Sequence, residues 1–198
     1  MRELMVGGST ILVDSPEPTG ARPPLELLAA ANALGVEASA LVAGRRCPEC
    51  GSADHGRPFV EFADGRASGC WVSVARSTGF ETAAARLDGP VGIDIESRSA
   101  VSQHPVAATL LHPGETDELE KLDPPAADAR LASLWVAKEA LLKATGTGLR
   151  TDPRGIRLRV SSGSVIVDRW PAELALTTSP HLTLFDVTDD IVGALAEL

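Results

Sequence analysis

Basic residues are scarce in this chain. Its 198 residues carry 18 Lys and Arg against 27 Asp and Glu, a formal net charge of −9. A general nucleic-acid binder is basic overall, so that class is excluded, while a local basic pocket for phosphates is not. Long apolar runs are also missing. None reaches the length that spans a bilayer, and Gly7, Gly8, Asp14 and Glu17 interrupt the N-terminal stretch before a signal-peptide core can form. Cysteine is rare: Cys47, Cys50 and Cys70 are an odd number and too few for a disulfide scaffold. The expectation is a reducing, cytoplasmic location with no membrane partner. No internal repeat is evident. What the chain does have is 44% hydrophobic and 23% charged residues, the balance of a water-soluble globular protein with enough material for one domain or two small lobes.

Two stretches carry chemistry. The first is Trp135-Val136-Ala137-Lys138-Glu139-Ala140-Leu141-Leu142-Lys143-Ala144-Thr145-Gly146-Thr147-Gly148. Ala, Leu, Lys and Glu predict a helix here, and Gly146 is its expected C-terminal stop. Trp135, Glu139 and Lys143 fall on one stripe, while Leu134, Leu141 and Leu142 point elsewhere and can pack inward. Alone, the Glu/Lys stripe reads as a solvated salt bridge.

The second is Gly89-Pro90-Val91-Gly92-Ile93-Asp94-Ile95-Glu96. Alternation predicts a strand with Val91, Ile93 and Ile95 on one face and Gly92, Asp94 and Glu96 on the other. Alone, the acidic face reads as the solvent side of an antiparallel strand. If Glu139 approached the two strand carboxylates, each like pair at ~4 Å would cost about 4 kcal/mol at an effective dielectric of ~20. A cation or shifted pKa values would then be needed.

Gly-Ile-Asp-Ile-Glu followed by Trp-x-x-Lys-Glu-Ala-x-x-Lys, continuing as Ala144-Thr145-Gly146-Thr147-Gly148-Leu149, resembles the 4′-phosphopantetheinyl transferase superfamily. The resemblance runs from about Arg45 to Leu149 and is closest to the larger, pseudo-dimeric, surfactin-synthetase-activating type. It implies an α+β fold of two similar lobes in one chain, residues 1–89 and 90–198, with the site between them and a monomer as the working unit. It implies transfer of 4′-phosphopantetheine from coenzyme A to a serine of an apo acyl, polyketide or peptidyl carrier protein, the holo-acyl-carrier-protein synthase reaction, releasing adenosine 3′,5′-bisphosphate. By the same resemblance Asp94, Glu96 and Glu139 hold Mg²⁺, with Mn²⁺ as the alternative ion. Glu139 is then the candidate base, and Lys138 and Lys143 contact the phosphates. His55-Gly56-Arg57-Pro58 is similar to the family's Gly-Lys/Arg-Pro element beside the nucleotide, which makes Arg45, Arg46 and Arg57 the candidates for the 3′-phosphate end. Ala75-Arg76-Ser77 stands where the family carries Ser-His-Ser. There the chain departs from the pattern: Arg76 and Ser77 are the remaining phosphate candidates, and the first hydroxyl is lost. Two other readings compete: a metal-dependent coenzyme or nucleotide hydrolase using the same carboxylates, and a non-catalytic coenzyme A-binding protein of the same fold.

Cys47-Pro48-Glu49-Cys50 invites a zinc or redox reading. Structural zinc needs four ligands and there is no second C-x-x-C, so Cys70 and His55 would complete a site only if the fold delivered them. The expectation is a turn-rich loop with small thiols. Elsewhere the pattern predicts a hairpin over Met1–Asp14, a Pro/Gly loop over Glu17–Arg22 and a helix from Pro23-Pro24 to Leu34. Strands follow over Phe59–Phe62, Trp71–Ala75 and Phe80–Leu87. A helix is expected over Gln103–Leu111 and another from Pro113, whose early acids suit the helix dipole. The Trp135 helix is expected to begin near Ala126 to Asp128. Short strands follow from Ile156, broken by Gly163, Pro171 and Ser179-Pro180, with Ile191–Leu195 unassigned. The acidic chain offers no evident handle for an acidic carrier, so docking would need an apolar or local basic patch.

Overall fold

The computed structural model describes residues 1–15, 22–161, 164–174 and 176–198. The loop expected over Glu17–Arg22, apart from Arg22, and the break at Gly163 lie outside these residues. Gly7, in a left-handed conformation (φ 58°), turns strand β1 (Arg2–Val6) into β2 (Ser9–Asp14). Helix α1 (Leu25–Leu34) follows and stops at left-handed Gly35, as its Pro start and Gly end predict. Strands β3 (Leu41–Arg46) and β4 (Arg57–Phe62) form a two-stranded ribbon. Strands β5 (Trp71–Ser77) and β6 (Phe80–Arg86) then complete an antiparallel sheet of order β1-β2-β6-β5. Leu25, Leu27, Ala29 and Ala30 of α1 seal one face of this sheet against Leu12, Val72, Ala83 and Ala85.

The second half opens on β7 (Val91–Ser97) and passes through helices α2 (Arg98–Gln103), α3 (Ala107–Leu110), α4 (Pro113–Leu119) and α5 (Pro124–Thr145). It closes with β8 (Arg157–Ser161), β9 (Ser164–Arg169), β10 (His181–Asp186) and β11 (Ile191–Glu197) in an antiparallel sheet of order β7-β11-β10-β9-β8. The long helix α5 packs on this sheet through Leu134, Leu141 and Leu142, all buried as their spacing requires. The architecture is mixed α+β.

Two expectations about local structure are corrected, and one unassigned stretch finds its place. The helix expected over Gln103–Leu111 is only the short α3, and an unexpected α2 ends at Gln103, because Pro105 holds His104 in an extended conformation (φ −112°, ψ 141°). Helix α5 starts at Pro124: Pro124-Pro125 occupies the first turn, where no N–H partner is needed, and Asp123 caps it by accepting from the Ala126 N–H at 2.9 Å. The unassigned Ile191–Leu195 stretch is a fully buried central strand, paired to β10 on one side and β7 on the other.

The two sheets meet along a seam. Strand β5 is the edge of the first and β7 the edge of the second. Ile11, Val13 and Ala84 from one side pack with Val91, Ile93 and Leu195 from the other in a single apolar cluster. Polar contacts pin the edges: the Ile93 N–H donates to Ser73 Oγ (3.1 Å), and Ser77 Oγ donates to Glu96 Oε2 (2.7 Å). The first bond satisfies an edge N–H that would otherwise be buried without a partner.

Candidate active site

The acidic strand is covered by α5 and buried on both faces up to Ile95. Its close approach to the helix depends on Gly92. A Cβ there would lie 2.0 Å from the Ala140 carbonyl oxygen and 2.5 Å from the Ala144 nitrogen, both of them backbone atoms of α5. Only glycine permits this contact. Because residue 92 shares a strand face with residue 94, the same contact sets Asp94 beside the helical stripe that carries Glu139 and Lys143.

Lys143 Nζ donates to Asp94 Oδ1 at 2.7 Å and also to the carbonyl oxygens of Ile93 (3.1 Å) and Val74 (3.3 Å). One ammonium thus joins the helix to both seam strands and uses all three of its donors. Asp94 Oδ2, buried, has no hydrogen-bond partner. Glu96 and Glu139 act on Asp94 as like charges, and Glu96 acts on Glu139. The three carboxylates therefore form one electrostatic group, although their oxygens do not close into a trio within 4.8 Å of one another. A buried orphan oxygen and a cluster of oxygen donors under mutual repulsion fit a hard divalent cation. Lys143 supplies partial neutralisation in its absence.

Burial, reinforced by Glu139 and Glu96 and opposed by Lys143, pushes the Asp94 carboxyl up to about 7. Burial and Glu96 also raise the Glu139 carboxyl, against Lys143. The sign of the consequence for stability is fixed. The folded, metal-free protein retains on Asp94 a proton that the unfolded chain has released above about pH 4. This group's contribution to stability is thus fully present below that pH and is lost as pH rises towards 7. Between about pH 5 and about pH 8, the thermal midpoint of wild type in chelator is expected to fall relative to Asp94→Asn, which has no such proton to lose. Parallel curves for the two proteins would contradict the raised value.

Beside Lys143 opens a cavity of about 770 Å³ between the β3–β4 ribbon, β5 and the end of α5. In a chain of net charge −9, this cavity is lined by Arg45, Arg46, Arg57, Arg150 and Lys143. Arg57 stacks on the Trp71 ring (4.9 Å to the centroid) and donates to the Ala144 carbonyl at 3.3 Å, at the negative end of the α5 dipole. Arg46 lies over Phe59 (5.2 Å). Arg150 was not singled out in the sequence. It follows the Gly148-Leu149 end of the second motif and donates to the Gly146 carbonyl (2.8 Å), a position set by the turn after α5.

Two site expectations fail. Lys138 is not in the cavity: it is fully buried, ion-paired to Glu115 at 2.6 Å and bonded to the carbonyls of Leu110 and Pro153. One residue before Glu139 is a turn of about 100° around a helix, which carries Lys138 from the site stripe to the α4 side. Glu115 is correspondingly buried and structural, holding the His112 and Leu158 N–H groups as well, so the dipole is not its main role. Arg76 does not reach the site either. It pairs across the sheet with Glu81, on the strand face opposite Ser77. Ser77 does face the carboxylates, through Glu96. Trp135 is half-buried and packs against the main core of the second half.

Comparison with known proteins places the chain in a family. The model of the 4′-phosphopantetheinyl transferase superfamily matches residues 90–191, just over half of the chain. The chain belongs to that superfamily. A Synechocystis protein named "Putative 4'-phosphopantetheinyl transferase slr0495" is 30% identical over 95 residues. The match covers 48% of this chain and 38% of that protein. Among solved structures, the holo-[acyl-carrier-protein] synthase of Neisseria meningitidis is similar at 27% identity, with a TM-score of 0.47 over 55% of this chain and 98% of that one. A holo-(acyl-carrier-protein) synthase of Bacillus anthracis, solved in complex with CoA (3',5'-ADP), is similar at 21% identity, with a TM-score of 0.44 over 54% and 92% of the two chains. Among the described residues no helix is long and apolar enough to cross a membrane.

Proposed function

We propose that the protein transfers 4′-phosphopantetheine from coenzyme A to a serine of an apo carrier protein. The observation that carries this reading is the adjacency of an arginine-lined cavity to the carboxylate group around buried Asp94, joined by Lys143. Arg45, Arg46, Arg57 and Arg150 receive the phosphorylated nucleotide, for which planar guanidinium groups provide paired donors. Asp94, Glu96 and Glu139 hold Mg²⁺, which when bound neutralises the pyrophosphate and polarises it towards attack. The carrier serine forms the new bond to the β-phosphorus, and the bond to the leaving bisphosphate oxygen breaks. Glu139 accepts the hydroxyl proton. Lys143 offsets the charge that develops on the leaving group. Ser77, bonded to Glu96, orients that carboxylate. Residues 1–89 and 90–198 act as two lobes, each built on its own sheet, with the site at their seam. One chain then suffices as a monomer.

The test is mass spectrometry of a panel of apo carriers incubated with the protein, coenzyme A and Mg²⁺. Addition of one phosphopantetheine to the carrier serine is expected, with equal release of bisphosphate. Bisphosphate without a modified carrier would identify a hydrolase, and coenzyme A binding with no turnover a non-catalytic binder. Arg57→Ala is expected to raise the KM for coenzyme A about tenfold or more, the worth of a charge-assisted contact of about 1.5 kcal/mol, with kcat little changed. Steady-state kinetics against coenzyme A check this, and an unchanged KM would remove Arg57 from the nucleotide site.

A further inference from the structure

The loop between β3 and β4 contains Cys47, Cys50 and His55, and their donor atoms all lie within 4.8 Å of one another. This is the only such trio among the described residues. The loop is turn-rich, as expected, and the fold also brings His55 to its two thiols. Gly56 is the reason. It holds φ 100°, and a Cβ there would fall 2.5 Å from the Arg46 carbonyl oxygen and from Cys47 Cα, so the chain doubles back against the first cysteine. The cysteine turn itself is closed by bonds from the Gly51 N–H to the Cys47 carbonyl (3.0 Å) and from the Cys47 N–H to the Ser52 carbonyl (2.9 Å). The backbone of Cys50 and then of Glu49 holds the Cys47 thiol below its ordinary range.

We propose that Cys47, Cys50 and His55 bind one zinc ion, which staples the end of the β3–β4 ribbon beside the basic cavity. The spacing fits. Bonds of about 2.3 Å to sulfur and about 2.0 Å to nitrogen at a tetrahedral angle separate the two donors by about 3.5 Å. Cys50 Sγ and His55 Nε2 are 3.4 Å apart. Two sulfurs and an imidazole select zinc over the hard cation suited to the carboxylates. Backbone N–H groups directed at a sulfur stabilise its thiolate, the form that binds metal. Cys70 does not supply the fourth ligand, since its thiol is turned to the Trp71 carbonyl at 3.7 Å. The three protein donors thus leave the fourth position open to solvent, unlike a closed four-ligand site, on a rim where Cys47 and His55 both line the cavity. Arg46 and Arg57 are cross-strand partners and immediately flank the loop, so the staple fixes two cavity arginines in register. This inference does not depend on the transfer reaction.

The test is metal analysis of the full chain, prepared under reductant, loaded with Zn²⁺ and freed of loose metal. About one zinc per chain is expected for wild type. Cys50→Ser and His55→Ala, both at exposed positions, are expected to lose it with unchanged circular dichroism, while Asp94→Ala keeps it. Loading with Co²⁺ should give wild type a thiolate-to-metal charge-transfer band that Cys50→Ser lacks. Wild type without zinc after loading overturns the proposal, as does zinc retained by both loop variants or lost in Asp94→Ala.

Discussion

Asp94→Ala is expected to reduce phosphopantetheine transfer by about 10³-fold or more while leaving the protein folded. Asp94 is the carboxylate on which the site converges. It shares the Gly92 face against α5, holds Lys143, and carries the orphan buried oxygen. On the proposed reading its removal takes away a metal donor, and it also removes the partner that fixes the Lys143 ammonium. The fold tolerates the change because the carboxylate is a burden on it: burial, Glu139 and Glu96 all act against its ionised form. Lys143 is about a third exposed and keeps two carbonyl acceptors, so it is not stranded without partners. Residues that cost stability where they serve chemistry are the usual price of a polar site. Two measurements are needed, transfer to an apo carrier followed by mass spectrometry and thermal unfolding of the same preparations. Wild-type transfer by Asp94→Ala would end the metal reading. A collapse of thermal stability would instead make Asp94 structural.

The features legible in the sequence were those with a local cause. Alternation placed Asp94 and Glu96 on one strand face, and helical spacing placed Glu139 and Lys143 on one stripe, because both periodicities are set by the backbone. Gly35 and Gly146 end helices because each takes a left-handed conformation open to glycine. The misread residues had partners that are distant in the chain. Lys138 is next to a site residue in sequence, yet its environment is made by Glu115, Leu110 and Pro153, which come from three other segments. Arg76 was aligned with a family histidine, but its cross-strand neighbour Glu81 decides where its side chain goes. Gly92 carries no signal beyond being a glycine inside a strand pattern, a mark of close backbone approach whose partner only the helix packing reveals. The central position of Ile191–Glu197 was equally hidden, since a strand buried on both faces has no alternation to read.

Lys138 yields the largest expected effect on stability. Lys138→Ala leaves Glu115 buried with no countercharge and strips donors from the Leu110 and Pro153 carbonyls. Breaking a buried pair on one side costs about 3–5 kcal/mol, which in a chain of this size lowers the thermal midpoint by roughly 10 °C. Replacing both partners costs far less, because the desolvation penalty of the pair disappears with its attraction. Lys138→Met combined with Glu115→Gln is therefore expected to recover part of the loss, the glutamine oxygen still accepting from a backbone N–H of His112 or Leu158. Kinetics at a temperature where all variants are folded distinguish this role from phosphate binding. A structural Lys138 leaves the KM for coenzyme A unchanged in the double variant, whereas a phosphate-binding Lys138 raises it in every variant lacking the ammonium and leaves the thermal midpoint near that of wild type.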